Sequence, residues 1–160
     1  MPGLHTIGMT SNGIVLARKL KDLRASGLNA LNLSLDTLKP ERFAEMTRRA
    51  GLQRVLDSID AAVDAGFDPV KLNVVLMRGV NDDEIGDFVA LTRDRPINVR
   101  FIEYMPFDGN VWSDNKMVPY AEIKPLVEAA VQKLTGGVGA QLARMADPRG
   151  EVGSRLVLES

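Results

Sequence analysis

Val70-Lys71-Leu72-Asn73-Val74-Val75-Leu76-Met77 decides the architecture of this chain. Its β-branched residues read as a strand, and strict alternation sets Lys71 and Asn73 on one face. The period changes on either side. Before it, Leu52, Val55, Leu56, Ile59, Ala62 and Val63 form one helical stripe that Gly66 closes. After it, Asn81-Asp82-Asp83 is expected to cap a helix through Ile85, Phe88, Val89 and Leu91. Helices on both sides of a strand are the rhythm of successive βα units.

The same rhythm extends outward. Upstream, Leu31-Asn32-Leu33-Ser34-Leu35-Asp36 alternates leucines with Asn32, Ser34 and Asp36, so its two faces differ in polarity. The run Thr6-Ile7-Gly8-Met9-Thr10 predicts an earlier strand that stops at the turn-former triplet Ser11-Asn12-Gly13. A helix carrying Leu16, Leu20 and Leu23 then closes on Gly27, and a short helix over 40–46 opens with Pro40 near its first turn. Downstream, Pro96 leads into a fourth strand over 98–103, and 105–118 reads as a loop long enough to act as a lid. A last helix runs towards Leu134, with Pro125 delaying its start or kinking it, and a further strand is expected over 156–158. Four βα units give an α/β fold whose parallel sheet either curves into part of a (β/α) barrel or lies open. In both cases ligands sit at the carboxyl ends of the strands, where Thr10, Ser34, Asp36 and Met105 fall.

Composition narrows the chemistry. A chain of 160 residues, 45% hydrophobic, buries one core, so it is one domain or a piece of one. Twenty Lys and Arg against 21 Asp and Glu leave a net charge of −1, so no nucleic-acid or membrane partner is expected and any phosphate site must be local. No run approaches the roughly 20 apolar residues that span a bilayer. No targeting signal is visible at the start, which leaves a cytoplasmic or mitochondrial location as the expectation. With no cysteine, the chain offers no disulfide, no thiol nucleophile and no thiolate for zinc or an iron–sulfur cluster.

Individual residues keep more than one reading. Lys71 inside a β-branched strand needs a ligand or partner, or else snorkels to solvent; a Schiff-base lysine is a further possibility. Arg100 and Glu103 lie three apart on a strand and face opposite sides, so one of them is structural, and Arg100 suits a phosphate or carboxylate. Ser11-Asn12-Gly13 is a plain turn or a weak anion cradle, and Asp36-Thr37 before Pro40 reads as a capping device. His5 has no ligand-spaced neighbour and is expected at the surface. Met77, Met105 and Met117 read as core fillers, except that Met105 can offer its backbone to a ligand from the strand end.

Several of these segments resemble one family. Thr10-Ser11-Asn12-Gly13, Asn32-Leu33-Ser34-Leu35-Asp36, Val70-Lys71-Leu72-Asn73-Val74-Val75, Met77-Arg78-Gly79-Val80-Asn81-Asp82-Asp83-Glu84 and Arg100-Phe101-Ile102-Glu103-Tyr104-Met105-Pro106-Phe107-Asp108-Gly109-Asn110 are similar, in order and spacing, to motifs of the radical S-adenosylmethionine GTP 3′,8-cyclases. Those enzymes begin molybdenum-cofactor (molybdopterin) synthesis by converting GTP to (8S)-3′,8-cyclo-7,8-dihydroguanosine 5′-triphosphate with S-adenosylmethionine and 4Fe-4S clusters. The resemblance covers roughly residues 3–127. It implies GTP binding at Thr10, Lys71 and Arg100, and S-adenosylmethionine binding at Ser34 and Met105; it assigns no catalytic residue and no metal ligand here.

The departures are the family's CxxxCxxC loop, its GGEP turn and its C-terminal cysteines, all absent, and Ser11 where a second threonine is usual. The expectation is a partial radical SAM-like (β/α) barrel over 1–134, about four βα units truncated at both ends, with a divergent tail over 135–160. Its partners would be GTP and S-adenosylmethionine, and alone it would be inactive. Two other readings stay open. One is a cluster-free, non-catalytic nucleotide-binding or interaction module that forms a homodimer or associates through exposed sheet edges. The other is a small barrel lyase built on Lys71.

Overall fold

The computed structural model describes residues 3–93, 95–105, 116–135, 141–145 and 155–159. Strands β1 (Gly8–Ser11), β2 (Ala30–Ser34), β3 (Val70–Leu76) and β4 (Ile97–Glu103) run parallel in that spatial order. Strands β5 (Gln141–Met145) and β6 (Arg155–Glu159) continue the sheet antiparallel, with β6 against β4. The edge of β4 is therefore covered, whereas β1 is the terminal strand on the other side. The first strand starts two residues later than the sequence suggests, because Asn29 takes the Ile7 N–H on its side-chain oxygen and its own N–H bonds the Ile7 carbonyl.

Helices α1 (Leu20–Ala25), α2 (Pro40–Thr47), α3 (Leu52–Asp64), α4 (Ile85–Ala90) and α5 (Tyr120–Thr135) fill the connections. Gly27 and Gly66 follow α1 and α3 with φ of 96° and 78°. At each, the next residue's N–H bonds back to the helix (Leu28 to Leu23 and Phe67 to Ala62), which turns the chain directly into the following strand. Pro125 lies inside α5 without delaying it, since the helix begins at Tyr120, whose N–H is bonded by the Glu103 carboxylate at 2.5 Å. This makes Glu103 the structural partner of the Arg100–Glu103 pair.

One apolar layer holds the fold. Leu31, Leu33, Leu72, Val74, Val99 and Phe101 share a sheet face and cluster with Leu20, Val55, Ile59, Phe88, Ile123 and Val127 from the helices. Phe88 meets Phe101 edge-on at 6.2 Å between ring centroids. Each fully buried Leu, Val or Phe contributes roughly 1.5–3 kcal/mol. The opposite face carries Thr10, Asn32, Ser34, Lys71 and Asn73, all partly or fully exposed. Helices on one face and polar groups on the other make this an open portion of a (β/α) barrel rather than a doubly wound sheet, which buries both faces.

Two capping expectations fail. Helices α2 and α4 have no side-chain cap. Asn81, fully buried, bonds backbone at the ends of β2 and β3 instead, and Thr37 is buried against Glu84.

Candidate functional site

Two rows of side chains cross the polar face. Thr10 pairs with Asn32, Asn32 with Lys71 and Lys71 with Asn98; two residues on, Ser34 pairs with Asn73 and Asn73 with Arg100. Register partners in a parallel sheet share a face, so the register brings Thr10, Lys71, Arg100 and Ser34 onto one face. Asn32 Nδ2 donates to Thr10 Oγ1 at 3.4 Å, and Asn73 Oδ1 is buried with no hydrogen-bond partner among the described residues.

Lys71 and Arg100 are diagonal neighbours on adjacent strands, their Cα atoms roughly 8 Å apart by strand spacing and rise. Partial burial, and then the positive charge of Arg100, holds the Lys71 ammonium below the usual lysine range. Lys71 is half-buried rather than free in solvent, and Arg100 is 8% exposed. Two cations held this close on a partly desolvated face favour an anion between them.

At the carboxyl ends, β2 and β3 part. Their ladder closes with Leu35 N–H on the Asn73 carbonyl at 3.0 Å, and from there side chains replace backbone. Asp36 Oδ1 accepts the Val75 N–H at 2.8 Å, and Asn81 Nδ2 donates to the Val75 carbonyl at 2.9 Å. Burial lifts the Asp36 carboxyl above the ordinary aspartate range, against the lowering effect of the Val75 N–H. Between the turn after β1, the end of β2 and α2 lies a pocket of about 320 Å³, with Asn12, Ser34, Asp36 and Thr37 among its polar lining and Ile14, Phe43 and Met46 among its apolar lining.

Met105, two residues beyond β4 and exposed, stands at a strand end but is not on the pocket wall with Ser34. Most of the expected lid, residues 106–115, lies outside the described residues, as does the end of the Arg100 motif. Met117 bridges to Met77, and His5 is exposed as expected. Ser11 and Asn12 accept the N–H groups of Gly13 and Ile14 on their side chains, so this triplet is a side-chain-closed turn.

The profile described as Radical SAM superfamily matches residues 2–92. The chain belongs to the radical SAM superfamily. It is 61% identical over 123 residues to the mitochondrial GTP 3′,8-cyclase of Arabidopsis thaliana, covering 77% of this chain and 32% of that protein. To molybdenum cofactor biosynthesis protein 1 of Mus musculus it is 56% identical, covering 77% of this chain and 19% of that one. The GTP 3′,8-cyclase of Pelotomaculum thermopropionicum is 40% identical and covers 96% of this chain and 49% of its own length, so the likeness does not stop near residue 127. The radical SAM segment described here thus spans between a fifth and a half of these relatives and matches a portion of the GTP 3′,8-cyclases.

Two solved structures share its fold. A radical SAM methyltransferase from Sphaerobacter thermophilus superposes with a TM-score of 0.61 at 18% identity, over 78% of this chain and 38% of that one. An archaeal TYW1 gives 0.58 at 17% identity, over 96% and 46%. With no cysteine in the chain, and no group of three or more His, Asp or Glu gathered for a metal among the described residues, the residues present do not fit an iron–sulfur cluster.

Three residues that shape the site escaped sequence reasoning. Ser58 hides in the apolar stripe of α3, donating to the Gly13 carbonyl at 2.6 Å and accepting the Ala17 N–H at 3.0 Å. Asn81 and Glu84 lie in a polar run that reads as a helix start, and only their complete burial reveals another task.

Proposed function

We propose that this chain supplies part of the nucleotide cavity of a GTP 3′,8-cyclase, the enzyme that begins molybdenum-cofactor synthesis by converting GTP to (8S)-3′,8-cyclo-7,8-dihydroguanosine 5′-triphosphate. The carrying observation is the crowding of Lys71 and Arg100 on one partly buried face. An anionic triphosphate relieves their repulsion and accepts charge-assisted hydrogen bonds from both. Thr10, in the neighbouring row, adds a hydroxyl that a phosphate or ribose oxygen can use.

S-adenosylmethionine fits the other end of the site. The pocket beside Ser34 combines hydroxyl, amide and carboxyl groups with the apolar walls of Phe43 and Met46, as a molecule with a flat base, a ribose and an amino acid requires. Ser34 is the contact this pocket offers from β2; Met105 stands off the pocket wall at the end of β4, and its backbone contact rests on the family resemblance alone. When bound to an iron–sulfur cluster, S-adenosylmethionine supplies radical chemistry; this chain has no cysteine for that cluster. Its own work is to bind and orient, and catalysis belongs to a protein that adds the cluster. A mitochondrial or cytoplasmic setting follows from the same reading.

Titration calorimetry of the chain with GTP tests it. Lys71→Ala and Arg100→Ala should each weaken binding about tenfold, as loss of one charge-assisted hydrogen bond does. Salt should weaken it further. Unchanged affinity in both variants would refute the assignment.

A further inference from the structure

Behind the pocket wall, a second polar layer has no place in ligand contact. Asn81 and Glu84 are fully buried, lie just beyond β3, and use their side chains on the segment after β2, some 45 residues earlier. Asn81 Oδ1 accepts the Met77 N–H at 2.7 Å, while Nδ2 donates to the carbonyls of Asp36 at 2.7 Å and Val75 at 2.9 Å. Glu84 accepts the Thr37 hydroxyl at 2.7 Å and the Leu38 N–H at 2.6 Å, and pairs with Arg42 on α2. Arg42 and Lys39 also pair with Asp83.

The Asp36 carbonyl and the Thr37 hydroxyl belong to pocket-lining residues and the Leu38 N–H follows Thr37, while the Met77 N–H and the Val75 carbonyl tie Asn81 to the end of β3. Asp36 and Thr37 line the pocket, and α2, which Arg42 anchors, supplies Phe43 and Met46. None of Asn81, Glu84 and Arg42 lines it. A strand ladder cannot define this wall, because β2 and β3 have already parted. The shape of the opening is set instead by a buried carboxamide and a buried carboxylate whose unmade bonds would be costly.

We propose that Asn81 and Glu84 are positioning residues of the adenosyl pocket, acting through Asp36, Thr37 and α2 to hold its walls apart. The ligand half of this inference rests on the reading of Ser34 given above. The test uses the 160-residue chain with Glu84→Gln and Asn81→Ala, titrated separately with S-adenosylmethionine and with GTP, alongside amide hydrogen exchange. S-adenosylmethionine affinity should fall about tenfold, the effect of one lost buried hydrogen bond to a charged or amide group. GTP affinity, set by Lys71 and Arg100, should change less than about twofold. The amides of Leu38 in Glu84→Gln and Met77 in Asn81→Ala should exchange at least about tenfold faster, with those of Leu72 and Val74 unchanged.

A parallel fall in both affinities, or uniformly faster exchange, would mean a general loss of stability and would overturn the proposal. If the unsubstituted chain binds no S-adenosylmethionine, the reading of Ser34 fails. The positioning role then stands or falls on whether exchange accelerates locally. Glu84→Gln preserves side-chain size and covers the case in which Asn81→Ala does not fold.

Discussion

Replacing Ser58 with alanine removes one oxygen from the interior and two hydrogen bonds from the joint between α3 and the turn after β1. The hydroxyl is wholly buried, donates to the Gly13 carbonyl at 2.6 Å and accepts the Ala17 N–H at 3.0 Å. The two losses are unequal. The Gly13 carbonyl keeps the Leu16 N–H at 3.2 Å, so it forfeits only a net bond, about 0.5–1 kcal/mol. The partly buried Ala17 N–H loses the partner aimed at it, which costs about 1 kcal/mol. Together they predict about 1.5 kcal/mol, or roughly 3–6 °C in Tm for a chain of this size. Thermal unfolding followed by circular dichroism measures it, with Asp57→Ala on the exposed neighbouring position as the control, expected within about 0.5 kcal/mol of the parent. A Ser58→Ala protein melting within about 1 °C of the parent would refute the claim that this hydroxyl clamps the turn.

Two carboxylates predict opposite pH behaviour. Asp36 binds its proton more tightly folded than unfolded, so its stabilising contribution is full below the ordinary 3.8 and is lost as pH rises through the raised value. Asp36→Asn should therefore be at least as stable as the parent near pH 7, and urea midpoints for the two should converge by about pH 3. Asp83 is the reverse: hydrogen bonds from Arg42 and then Lys39 depress it from 3.8 to about 2, so its contribution is present above the higher value and lost as pH falls through the lower. An acid titration of stability should show a shallower decline between those values in Asp83→Asn, and added salt should shrink the difference because Asp83 is exposed. For the cavity itself, calorimetry should find Lys71→Ala and Arg100→Ala each about tenfold weaker for GTP. With S-adenosylmethionine, Glu84→Gln should lose affinity while GTP binding is retained.

Local pattern alone determined much of this protein. Strict alternation over 70–77 and 31–36 fixes which side chains share a face whenever those segments become strands, so Lys71 goes with Asn73, and Asn32 with Ser34, from the sequence alone. The glycines after α1 and α3, the proline opening α2 and the helical stripes between them specify the βα order through local geometry. The lack of cysteine settles at once what this chain cannot ligate.

Register and partnership came only from the tertiary structure. That Lys71 sits one strand from Arg100, near enough for one charge to disturb the other, depends on how β3 slides against β4, which no run within either strand encodes. The same holds for Ser58, Asn81, Glu84 and Thr37. Ser58, Asn81 and Thr37 are common turn or cap formers and Glu84 carries a charge, so local preference pointed each to a helix start or a solvated position. Burial reversed those preferences: in a dry interior a polar side chain must find a partner, and each of these has one that lies 41–47 residues away along the chain.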